Sequence, residues 1–115
     1  MRAMDEMQAA ICRRVGAEFQ PAEPHLKVGL AIATLSGQPI NGLRHPSEGD
    51  TTSWYIWGGG TLSPTDDFFE PVHVDHLAEL LPRVLPYLGL PPGWRFLLAP
   101  GVDDVWFDSA LLDLA

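Results

Sequence analysis

A chain of 115 residues, 46% hydrophobic and 19% charged, is long enough for one core and too apolar to stay disordered, so a single domain over 1–115 is expected. Seven Lys and Arg against fifteen Asp and Glu give a net charge of -8, which argues against nucleic acid or an anionic membrane as partner, since both need clustered cations. The same acidity suits solubility, and equally the attraction of a basic protein.

The first segment, "MRAMDEMQAAICRRV", places Met4, Met7, Ile11 and Val15 at helical spacing and predicts an N-terminal amphipathic helix within 1–20 that ends near Gly16. It contains no apolar run of signal-peptide length, and the single Cys12 excludes an internal disulfide and any multi-cysteine zinc site, so the cytoplasm is the expected location. "LKVGLAIATL" suits a buried strand. The Gly-, Pro- and Ser-rich stretch after it reads as a long connection, with a short extended piece from Ile40 to Leu43 and a turn signal at Asn41-Gly42.

"SWYIWGGG" follows. Alternation puts Trp54 and Ile56 on one side of a strand and Tyr55 and Trp57 on the other, which predicts a strand half covered by the core and ended by a glycine turn. Ser63 or Thr65 is set to cap a short helix running to Pro71, and "VDHLAELL" and "PRVLPYLGL" predict two more short helices. "WRFLLAP" and "DVWFD" flank Pro100-Gly101 as an antiparallel hairpin, with Trp94, Phe96 and Leu98 sharing one face. The expected fold is therefore α+β: one twisted antiparallel sheet of four to five strands, an N-terminal helix and a cluster of short helices.

Gly58, Gly59 and Gly60 lack the Lys and the Ser or Thr that a phosphate-cradling loop needs, and "TLSPTDD" after them is acidic, so they read as a turn. His73 and His76, with Asp75 between, are three residues apart. That spacing offers two imidazoles to a metal, but the third ligand and the four-residue spacing of a metalloprotease are missing. Asp103, Asp104, Asp108, Ser63, Ser109 and Cys12 form no catalytic constellation, and adjacent Asp residues are ordinary turn formers. The expectation is a protein without catalytic residues or cofactor. A small metal-dependent hydrolase using His73, His76 and Asp75, or a ligand-sensing accessory domain, are the alternatives.

Four tryptophans in so short a chain suit a core, and one or two of them, with Trp57 and Trp106 the leading candidates, are expected to be partly exposed, where they could anchor a protein partner. The succession "LKVGLAIATLSGQPINGLRHP", "WYIWGGG", "DFFEPVHVDHL" and "YLGLPPGWRFLLAPGVDDVWFD" resembles a family of small bacterial immunity proteins of polymorphic toxin systems, the immunity protein thirty-three type and its relatives, from Leu26 to Leu112. The resemblance implies a non-catalytic protein that binds and neutralises a cognate toxin, for which a basic toxin would suit the acidic charge, as monomer or homodimer. Expected contact residues are Arg44, His45, Trp57, Asp66, Asp67, Asp103 and Asp104.

Overall fold

The computed structural model describes residues 3–23, 25–46, 51–59 and 69–112, with side chains from residue 5 onward. The α+β class holds. Helix α1 (Ala3–Val15) precedes β1 (Lys27–Leu30), β2 (Ile40–Arg44), β3 (Thr51–Gly58), β4 (Glu70–His73), α2 (Val74–Leu80), β5 (Trp94–Ala99) and β6 (Val102–Phe107), with short 3-10 turns between several of them.

All six strands form one sheet in the order β4-β1-β3-β2-β5-β6, one strand more than the upper expectation. Every neighbouring pair is antiparallel except β1 and β3, which run parallel. Local turn signals miss such a pair because parallel neighbours need a crossover connection. Here β2 supplies part of it: the short extended piece foreseen at Ile40 lies inside the sheet between β3 and β5. The additional strand is β4, where residues expected to close a helix pair instead with β1, Gly29 opposite Pro71. The predicted helix cap at Ser63 or Thr65 lies outside the described residues.

Alternation along β3 sorts the two faces as the sequence implies. Trp54 and Ile56 are fully buried on one side, against Phe96, Leu98 and the helical layer of α1, α2 and the 3-10 helix Pro82–Tyr87. Gly42 opens room on that face, since a Cβ there would lie 2.3 Å from the Phe96 ring. Tyr55 and Trp57 point to the other side, with Ala31, Leu43, Phe69 and Leu111.

Helix α1 is turned from its expected orientation. Met7 is exposed, Ile11 and Val15 flank the core, and Gln8 and Cys12 point inward. Both inward groups donate to carbonyls: Gln8 Nε2 to Leu85 O at 2.9 Å, and Cys12 Sγ to Gly89 O at 3.3 Å. Burial pushes the Cys12 thiol up in pKa, against a smaller opposing effect of the Arg44 charge.

The glycine run ends β3 as a turn. Gly59 has φ of +86°, and a Cβ on Gly58 would meet the Thr34 carbonyl oxygen at 2.1 Å; Gly60 lies outside the described residues. Thr34 Oγ1 accepts from the Gly58 amide at 2.8 Å and donates to Ala31 O at 2.7 Å, which holds the turn against the loop after β1.

Candidate partner-binding face

Arg44 and His45 are adjacent in sequence and serve opposite faces of the sheet. Arg44 turns into the core and is 2% exposed. Its Nε donates to Thr52 O at 2.9 Å, and its Nη1 lies 2.7 Å from Leu90 O, 3.1 Å from Gln20 O and 3.4 Å from Leu88 O. Trp54 packs beneath it, ring centroid 5.7 Å from the guanidinium carbon, and donates its own Nε1 to Leu88 O. Burial pulls the Arg44 pKa down to about 10, leaving it charged at neutral pH. The residue clamps β2 to the loop before β1 and to the end of the 3-10 helix, so its fork faces no solvent.

His45 faces the other way. Its Nδ1 lies 2.9 Å from Leu111 O, where it is the donor, and its ring meets Tyr55 edge to face at 5.7 Å. Leu43, His45, Tyr55, Trp57 and Phe69 line a depression of about 250 Å³. A second, of about 340 Å³, adjoins it across Tyr55 and Phe69, bordered by Lys27, Gly29, Thr51 and Pro71. The rings are set nearly perpendicular, Tyr55 to Phe69 at 5.2 Å and Trp57 to Phe69 at 6.3 Å. Trp57, expected to be partly exposed, is only 5% so, because Phe69 packs on it, and its buried Nε1 has no hydrogen-bond partner among the described residues.

The acidic pair on β6 also divides by face. Asp103 takes a bidentate bond from Arg14 of α1, at 2.6 and 3.3 Å, and accepts from the Tyr87 hydroxyl. The Arg14 bonds hold its carboxyl below the usual carboxylate range, and Tyr87 is pushed up to about 12, first by burial and then by its bond to Asp103. Asp103 thus fastens the N-terminal helix to the hairpin. Asp104, on the opposite face of the strand, is exposed and has no partner among the described residues. Asp66 and Asp67 lie outside the described residues.

Beside Asp104 stands Trp106, 38% exposed as its place in the hairpin suggests, with the Arg95 guanidinium 5.4 Å from its ring centroid. Arg95 also pairs with Asp108 at 3.2 Å while its Nε lacks a partner. Sequence reasoning missed Arg95 and the exposed Phe107. Only the strand register reveals that Arg95 lies across from Trp106 and Trp94 across from Phe107.

His73 and His76 meet edge to face at 5.9 Å, and no group of three or more His, Cys, Asp or Glu among the described residues could hold a metal ion. No helix among the described residues is long and apolar enough to cross a membrane. A family model, described as the Imm33-like domain, matches residues 7–108. No curated protein and no solved structure matches the chain.

Proposed function

The chain belongs to the Imm33-like domain family, and on that premise we propose that it is an immunity protein that binds a cognate toxin and neutralises it by occlusion, without chemistry of its own. The observation that carries this reading is the family match, which runs from within α1 through β6. The division of the sheet supports it. One face is consumed by the main core, while the other carries a smaller buried cluster around Trp57 and, beside it, the partly buried Tyr55 and Phe69, His45, the exposed Trp106 and an Asp104 without a partner among the described residues. Aromatic anchors next to acidic groups fit a basic protein surface, with the net charge of -8 steering the encounter. The contact set we propose is His45, Asp104 and Trp106, with the rims of the aromatic depressions, in a cytoplasmic protein.

The test is capture followed by rescue. Tagged protein is used to recover partners from a lysate of its own cells at low and at high salt, and the recovered protein is then expressed alone and with this chain. Growth arrest relieved by co-expression supports the reading. A captured protein that arrests nothing, or an arrest this chain does not relieve, contradicts it.

A further inference from the structure

The two edges of the sheet differ. β4 is four residues long and carries Pro71, which has no amide to donate, as protected edges commonly do. β6 is six residues long, and Val102, Trp106 and Phe107 are 42%, 38% and 49% exposed. Its hydrogen-bond phase follows from one contact: the Asp108 amide donates to Gly93 O at 2.7 Å, so residues 93 and 108 form a bonded pair. Bonded and non-bonded pairs alternate along an antiparallel ladder, which makes Arg95 and Trp106, Leu97 and Asp104, and Ala99 and Val102 the other bonded pairs. The amides and carbonyls of Asp103, Val105 and Phe107 therefore point away from β5, along the open edge.

The side chains on that edge alternate in chemistry. Asp104 and Trp106 project on the open face, a carboxylate without a partner among the described residues and a ring that the Arg95 guanidinium covers from β5 while 38% of the residue stays exposed. Val105 and Phe107 project on the helical face, beside an Asp103 already neutralised by Arg14. We infer that β6 is a strand-addition site for an extended segment of the partner, one that alternates basic side chains on the open face with apolar ones on the other. Main-chain bonds to Asp103, Val105 and Phe107 would hold the segment, and the alternation would select it. A second copy of this chain fits less well, since self-pairing brings two acidic edges together.

The inference rests on the immunity reading only for the owner of the segment. The probe is an end-capped peptide of about seven residues alternating lysine and valine, titrated into isotopically labelled protein and followed by amide chemical shifts. Saturable shifts over residues 102–107 are expected. They should vanish in Val105→Pro, which removes an outward amide and leaves the β5 ladder intact, and when the peptide's valines are N-methylated. Asp104→Lys should weaken binding about tenfold, and it keeps the test open if the proline variant does not fold. Shifts elsewhere, binding indifferent to both variants, or no binding overturn the inference, as does concentration-dependent self-pairing through β6. If the peptide binds at β6 but no toxin is ever captured, the immunity reading falls and strand addition stands. If a toxin is captured equally well by Val105→Pro and Asp104→Lys, the immunity reading stands and strand addition falls.

Discussion

The helical face of the sheet and its open face are built from the same strands by opposite rules. On the helical face, even polar groups are satisfied internally: Gln8, Cys12, Arg44 and Trp54 all donate to carbonyls between Leu85 and Leu90. On the open face, the buried Trp57 Nε1 and Arg95 Nε and the exposed Asp104 have no partner among the described residues. A buried charge is tolerable only where its donors are matched, as Arg44 Nε and Nη1 are; Trp57 Nε1 and Arg95 Nε are buried without an acceptor, while Asp104 stands exposed beside the Trp106 ring. The lesson is that strand alternation separates side chains tied into the fold from those left at the surface, down to neighbours such as Asp103 and Asp104, and the proposed contacts fall among the latter.

Substitution at Arg44 should break the comparison most severely. Arg44→Leu strips several buried carbonyls of their donor and is expected to cost about 3–5 kcal/mol, enough to unfold a small domain, whereas His45→Ala next door should cost about 1 kcal/mol. Chemical denaturation of the two variants side by side measures the gap. Arg44→Lys should recover little, because an ammonium cannot reach both Thr52 O and Leu90 O as the guanidinium fork does.

Gly58→Ala comes next, at about 1–3 kcal/mol, since the new methyl would strike the Thr34 carbonyl and both partners are backbone. Thermal unfolding reads it. The Asp103 fastening is smaller, about 1 kcal/mol or less, because its ion pair with Arg14 is more than a third exposed and screened by water. Its pH dependence has a definite sign. The folded-state pKa lies below the unfolded value, so the contribution is present at neutral pH and is lost as pH falls through the folded value. The stability gap between the parent and Asp103→Asn should be widest near neutrality and close as pH drops below about 4. Trp106→Ala should move stability least, within about 0.5 kcal/mol, while weakening partner capture.

Much of the fold was legible. The alternation of "SWYIW", the turn at Pro100-Gly101 and the stop at Gly58 are local signals, and each appears where the sequence puts it. Four features were hidden for physical reasons. The inward turn of α1 depends on carbonyls contributed by residues about eighty positions away, which no hydrophobic periodicity records. The placement of β2 inside the sheet and the parallel pairing of β1 with β3 are tertiary choices. So is the bulge at Ser53, a non-glycine residue at φ of +63° where the register of β3 against β1 shifts. For the candidate site, residue type pointed to Trp106 and Asp104 but could not separate Asp104 from Asp103, or His45 from Arg44. Which face each side chain takes becomes plain only when the strand boundaries are known.

The most direct test of this separation is co-expression of the captured partner with Asp104→Lys Trp106→Ala, a double variant confined to the open face. The prediction is a folded protein with a parental melting temperature that no longer relieves growth arrest. Full relief by that variant, at equal abundance, would contradict the assignment of recognition to the open face.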